Sequence, residues 1–300
     1  MQNDMMMDRS KEGQAAQTLR VKPKWHMTVL HIVYYLILVV FLLFYILPFW
    51  GAITNSFKTN LEAIASPMAL PSKWTMNGYS NALEELSVSL MNTLVVTLFG
   101  AAGSVFLGSI CAYALGKWRF KLNNMFFGLL VAATYLPFQA ILIPLLTTMT
   151  NLGVYDNIWG IVLAHSIFGM PMCTTMMRGY YAEVPDALIR QAMIDGNGMW
   201  QIYRKIVVPN TKLATITTFV FQCTSIWNEM LFALVLAAQG DGANAQLATI
   251  VVQGFASGNT VDIPQLMAGS MILALPMLMI YIFMGKYLIS GQMSGAVTAS

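Results

Sequence analysis

Long stretches of this chain carry no Asp, Glu, Lys or Arg, and that restricts it to few folds. Uncharged runs lie between Lys24 and Lys58, Glu85 and Lys117, Lys121 and Asp156, Asp156 and Arg178, and Asp262 and Lys286. Each supplies the ~20 residues that an α-helix needs to cross ~30 Å of hydrocarbon. A sixth run, Lys212 to Asp241, is long enough but holds one acid, Glu229. The chain is 57% hydrophobic and 10% charged, against ~25% charged in soluble domains. Too little polar surface remains to cover a globule in water. The expectation is an all-α integral membrane protein with six transmembrane helices.

The basic residues orient it. With six spans and both termini cytoplasmic, only Lys58 and Lys73 of the 16 Lys and Arg fall outside, as the positive-inside rule requires. The run at 242–261 reads as an external loop with a short helix, because its apolar part, LATIVVQGF, is too short to span. A seventh span there would also put Lys286 outside. Residues 1–27 read as a polar cytoplasmic tail. The apolar run behind them is too long for a signal-peptide core, so the first span is expected to stay in place. The expected division is 28–85 for the first span and outer loop, 86–290 for the transmembrane core and 291–300 for a cytoplasmic tail.

Chemistry-bearing motifs are scarce. Cys111, Cys173 and Cys223 sit in apolar runs with no metal-ligand spacing and read as small buried hydrophobes. The 23 methionines read as flexible packing. There is no metal site, no catalytic residue and no P-loop pattern to cradle nucleotide. His165 is alone on an apolar helix and reads as a satisfied packing residue.

The segment AEVPDALIRQAMIDGNGMWQIYRKIVVPN is too ordered for a plain linker. Pro185 suits the first turn of a helix, where Glu183 and Asp186 favour the positive end. Asp186 and Arg190 make an acid-before-base pair at i,i+4. Leu188, Ala192 and Asp195 follow one edge, and Gly196 is a left-handed stop. A second helix is expected over Met199–Val207, ended by Pro209. A short helix this exposed needs a partner; a basic helix lying on lipid leaves the Pro–Asp start and the Gly stop unexplained.

The spacing Gly196, nine residues, Ile206, one residue, Val208, Pro209 resembles the EAA loop of permeases in binding-protein-dependent ABC importers. Further stretches resemble the maltose-type carbohydrate branch, its MalG-like subunits in particular: NTLVVT, YLPFQAILIPL, LGVYDNIWGIVL, EVPDALIRQAMIDG, WNEMLFALVL and the C-terminal QLMAGSMILALPMLMIYIFMGKYLISGQMSGAV. One departure stands out. Arg190–Gln191–Ala192 replaces Glu–Ala–Ala, so the charge is reversed where the family's acid helps seat the loop. Arg190 either meets an acidic or neutral contact on the ATPase or faces water.

The resemblance implies a type I ABC importer permease fold in the cytoplasmic (inner) membrane. It implies a second homologous permease subunit, two copies of an ATPase subunit that bind ATP and Mg, and an extracytoplasmic solute-binding protein. This chain would then be a transport subunit for a sugar, not an enzyme, and would hold no cofactor. Glu183, Pro185, Asp186, Arg190, Gln191, Ala192, Asp195, Gly196, Ile206 and Pro209 would form the ATPase-coupling loop. Gln253, Gly254, Ser257, Gly258 and Asn259 resemble the loop that reaches into the binding protein. Glu229, with Asn228 and Trp227 beside it, is a candidate for lining the pathway, since ionisable groups within spans are functional by default. The alternative is pairing across a helix contact. Gln139, between Pro137 and Pro144, marks either a broken helix beside the pathway, where it would be a lining residue, or a kinked structural helix.

The rival readings are weaker. A secondary transporter wants charged relays in several spans and paired repeats. A membrane enzyme wants a Ser/His/Asp cluster or metal ligands at the surface. A polyol or glycerol phosphate importer stays within the family, but an anion predicts basic residues within the spans.

Overall fold

The computed structural model describes residues 25–118, 120–237, 245–257 and 261–297, with the backbone alone for 25–28 and 286–297. Every regular element among them is helical. The chain divides into two units, residues 1–51 and 52–300.

The first unit holds most of α1, Trp25–Ser56. Large apolar side chains from Val29 to Trp50 are exposed on all of its faces, a surface suited to lipid rather than water. Most of the tail predicted at 1–27 lies outside the described residues.

In the second unit, α2 (Asn60–Ala65) starts where the Thr59 side chain accepts from the Glu62 N–H. Next comes α3, Asn77–Lys117, with 41 residues. At 1.5 Å per residue it measures ~60 Å, about twice a bilayer core. It begins well before the uncharged run at Leu86, so the outer loop predicted over 56–86 is shorter than its charge pattern suggests. A helix that has crossed the bilayer keeps its backbone bonds in water, and Glu84 and Glu85 do not end it.

The third predicted span is broken. Helix α4, Asn123–Thr134, is followed by a 3-10 turn at Phe138–Ile141 and by α5, Leu142–Asn151. The two halves meet at 97°. Pro137 explains the break: it lacks an N–H and pushes Leu136 away from helical geometry.

Helix α6, Ile158–Glu183, starts at Asn157, whose side chain accepts from the Trp159 N–H at 2.9 Å. It packs along α3 through small residues. A Cβ on Gly103 would collide with Ser166, and one on Gly108 would lie 2.5 Å from the Cys173 Cβ. Helices within lipid gain by this close approach, because no hydrophobic effect drives them together.

Beyond α6 come α7 (Asp186–Ile194) and α8 (Met199–Ile202). A π turn at Tyr203–Val207 and α9, Val208–Asn210, continue the helix to Asn210. Pro209 was expected to end this helix and does not. The wider turn removes the i−4 contact that a proline ring would strike.

The fifth predicted span is also interrupted. Helix α10, Lys212–Trp227, has 16 residues, or ~24 Å, less than the ~30 Å needed. After a break at Asn228–Met230, α11 runs over Leu231–Leu236. The short helix predicted within 242–261 is α12, Ala248–Phe255. Last is α13, Ile263–Val297, whose backbone stays helical into the region predicted as a tail at 291–300. Among the described residues four helices are unbroken and apolar enough to span, and the bent pair makes up to five. The sixth crossing expected from the sequence falls on the two-piece stretch 212–236.

Cys173 and Cys223 are buried and Cys111 half-buried, all as free thiols. Among the described residues no three His, Cys, Asp or Glu gather as metal ligands.

Candidate functional site

The segment 183–209 folds largely as its sequence dictates. Pro185 precedes the first helical residue of α7, one position earlier than predicted. Gly196 has φ +79°. The Gly196 N–H donates to the Met193 carbonyl at 3.1 Å and the Asn197 N–H to the Ala192 carbonyl at 3.0 Å. These are the two bonds of a Schellman stop. The Gln201 side chain accepts from the Gly198 N–H at 3.1 Å, starting α8.

The buried edge of α7 differs from the predicted Leu188–Ala192–Asp195 line. Ile189 and Ala192 are the buried residues, packed with Val184, Ile202, Tyr203 and Val207. Leu188, Met193 and Trp200 are exposed, and Ile194 is 85% exposed. Glu183, Asp186, Arg190, Gln191, Asp195 and Pro209 are exposed too, with Ile206 half-buried. Apolar and charged groups thus share one outward surface. Asp186 pairs with Lys117 of α3 at 3.0 Å.

A second constellation lies where the two broken helices meet. Phe138, on the turn between α4 and α5, packs on Phe232 of α11 with ring centroids 5.6 Å apart. Phe168 of α6 touches both rings. Glu229 sits in the break before α11. Its carboxylate accepts from the Leu231 N–H at 2.6 Å and the Phe232 N–H at 3.0 Å, so the acid itself starts the new helix. Its other edge stops 3.9 Å from the Nε2 of His165. His165 packs on Phe232, but its buried Nε2 has no hydrogen-bond partner. The sequence predicted a satisfied histidine, and in this respect the structure differs.

The neighbours of Glu229 separate. Trp227 is buried and donates to the Leu273 carbonyl at 3.0 Å. Asn228 is exposed and donates to the Thr224 carbonyl at 2.8 Å. Gln139 is exposed at the 97° bend. The aromatic trio went unread in the sequence, since Phe within an apolar run carries no signal of its own.

Midway along α3, Thr93 accepts from the Ala248 N–H at 2.8 Å and Asn92 donates to the Gln246 carbonyl at 3.1 Å. Asn60 brackets the start of α13, bonding the Val261 carbonyl and the Ile263 N–H, each at 3.1 Å. Gln253, Gly254 and Ser257 are exposed at the end of α12; Gly258 and Asn259 lie outside the described residues.

Comparison with known proteins agrees with this architecture. Residues 104–290 match the family described as "Binding-protein-dependent transport system inner membrane component". A probable ABC transporter permease of Pyrococcus horikoshii is 37% identical over 88% of this chain and 95% of its own length. The xylose/arabinose import permease protein of Haloferax volcanii is 30% identical over 86% and 90%. A crystal structure of a bacterial ABC transporter involved in alginate import has a chain with the same fold: TM-score 0.71 at 22% identity, covering 87% of this chain and 96% of that one. Proteins of this kind work with an ATPase and a solute-binding protein. The chain belongs to the family of binding-protein-dependent inner-membrane transport components, as a multi-pass ABC importer permease subunit that moves solute and is not an enzyme.

Proposed function

We propose that this chain forms half of the translocation pathway of an ATP-driven sugar importer. It would pair with a second, homologous permease, two ATPase subunits that hold ATP and Mg, and an external binding protein. Six crossings with both termini cytoplasmic fit the charge distribution, with 1–27 and 291–300 as tails, 28–85 as first span and outer loop, and 86–290 as the core. The sugar reading is supported by relatives whose names state xylose/arabinose, glucose and melibiose/raffinose/stachyose import. These are neutral solutes, consistent with the uncharged runs that mark the spans.

The observation that carries the coupling role is α7. A nine-residue helix closed by a left-handed glycine presents Leu188, Met193 and Ile194 to the outside, and Trp200 of the following α8 is exposed as well. Apolar side chains ringed by charges suit a protein partner better than water. Glu183, Pro185, Asp186, Arg190, Gln191, Asp195, Gly196, Ile206 and Pro209 make up the docking segment, with Ala192 as its buried support. Glu229, Asn228 and Gln139 line the pathway where the broken helices meet, and Trp227 braces that region against α13. Gln253, Gly254, Ser257, Gly258 and Asn259 reach the binding protein.

The test is reconstitution of the permease pair, ATPase and binding protein in proteoliposomes. ATP-dependent uptake of a neutral sugar is the expected result. Uptake driven by a proton gradient with no ATPase present would refute the proposal.

A further inference from the structure

We infer that Ser109, Tyr113 and Lys117 of α3 are positioning residues that hold the coupling segment in register with the membrane bundle. The inference rests on the reading of 183–209 as the ATPase contact. The three stand at i, i+4 and i+8, so they share one face of α3, with ~6 Å between rungs. Each rung holds a different part of the segment.

Lys117 holds its start. The side chain is 3% exposed. Its Nζ donates to the Val184 carbonyl at 2.6 Å, the Ala182 carbonyl at 3.3 Å and the Asp186 carboxylate at 3.0 Å. One ammonium thereby ties the end of α6 to the first residue of α7. Tyr113 holds the middle. Its hydroxyl donates to the Met199 carbonyl at 2.8 Å, just past the glycine turn, and its ring lies 5.2 Å from that of Tyr203. Ser109 holds the end. Its Oγ is 2.5 Å from the Tyr181 hydroxyl and 2.6 Å from the Tyr203 hydroxyl. That buried triad joins α3, α6 and the π turn.

The geometry has a mechanical consequence. The chain itself connects α7 to α6 on one side and to α10 on the other. A displacement of α7 by the ATPase would then reach α3 only through packing such as that on α6. The three rungs add a direct tie from α3 to the segment itself. They sit in different parts of the segment, so α3 must follow both its translation and its rotation. The hydroxyls of Tyr181 and Tyr203 contribute only hydrogen bonds at this node; their rings are already packed in the surrounding cluster. A serine between two tyrosines in this arrangement reads as a positional lock added to an apolar core that would pack without it.

The test uses the reconstituted complete importer with Lys117→Met, Tyr113→Phe, Ser109→Ala and Tyr203→Phe. Solute moved per ATP hydrolysed is read beside the melting temperature and ATPase co-purification. The expected result is a loss of about fivefold or more in solute per ATP, the lower range of a coupling effect, with assembly and melting temperature kept. Lys117→Arg, which keeps the donors, recovers more than half. Phenylalanine at 113 or 203 keeps the packing, so these variants decide the matter if Lys117→Met fails to fold. An unchanged ratio, or a loss that merely tracks melting temperature, overturns the inference. Cross-linking of Ile194→Cys to the ATPase tests the underlying reading separately. No cross-link in the otherwise unaltered complex means that the segment is not the contact, whatever the rungs do.

Discussion

Replacing Gly108 by alanine adds one methyl group at a tight part of the seam between α3 and α6, where the facing atoms are backbone and Cβ. The new Cβ would lie 2.5 Å from the Cys173 Cβ, 3.0 Å from the Thr174 backbone nitrogen and 3.1 Å from the Cys173 carbonyl carbon. Carbon pairs settle at ~3.5–4.0 Å, so α6 must retreat by about 1 Å or more. No flexible side-chain end is available to yield, because the opposing atoms are a Cβ and backbone. Overpacking of this kind costs ~1–3 kcal/mol, and rigid neighbours put it near 3. Alanine also recovers ~1 kcal/mol of helix propensity over glycine. The net expectation is a destabilisation of ~2 kcal/mol, about a thirtyfold change in the folded ratio. Thermal unfolding of the purified permease complex in detergent measures it. Gly128→Ala is the control: nothing lies within 4 Å of its Cβ, so it should be neutral or mildly stabilising. Adding Cys173→Gly to Gly108→Ala should restore part of the loss by removing the opposing methylene. A Gly108→Ala protein as stable as the parent would refute the close-packed seam.

Four further outcomes follow from single contacts. Gly196→Ala places a Cβ at φ +79° with open space around it, so only backbone strain of ~1–2 kcal/mol should appear, seen as faster amide exchange over 186–198; Gly196→Asn should be milder. Asn60→Ala removes two bonds to the start of α13, and exchange at Ile263 should rise by a factor matching ~1–2 kcal/mol. Glu62 accepts from the Ser72 N–H, which holds its carboxyl below the usual carboxylate range. A lowered folded-state pKa means that this support is full above the unfolded value and lost as pH falls through the folded one, so the protection factor of the Ser72 amide, its exchange relative to the unstructured rate at each pH, should be flat at neutral pH and fall only in acid, with Glu62→Gln lowered throughout. Glu229→Ala leaves the Leu231 and Phe232 amides without their acceptor and should cost ~1–3 kcal/mol in melting experiments; a residue that only lined the pathway would leave stability unchanged.

The parts legible in the sequence are those governed by local rules. Absence of charge marks α1, α3, α6 and α13 because lipid penalises charge along the whole crossing. Pro185, Asp186 and Gly196 mark α7 because starts and stops are set within a few residues. Pro137 announces the bend near Gln139 for the same reason. The remainder depends on partners distant in sequence. Nothing around Ser109 signals that it meets Tyr181 and Tyr203. Glu229 reads as an acid exposed to a pathway, yet both of its oxygens are engaged by the Leu231 and Phe232 amides of its own chain. The continuation of the helix through Pro209 was hidden too, since a π turn leaves no compositional trace.

These distant contacts share one element. Midway along α3, Thr93 and Asn92 hold the residues that lead into α12, and at its start Gly78 lies so close to Pro264 that its Cβ would sit 2.7 Å from that carbonyl oxygen. At the other end, Ser109, Tyr113 and Lys117 hold the coupling segment. The two groups are joined by unbroken helix, with none of the prolines found within α1, α6 and α13. Its Gly–Ser pairs at 103–104 and 108–109 are of a kind that can let a helix kink, but Gly103 and Gly108 are pressed against Ser166 and Cys173 of α6. The residues that lead into α12, the start of α13 and the segment 183–209 are therefore anchored on the same continuous helix, and a movement of one that leaves α3 unmoved must first break these contacts.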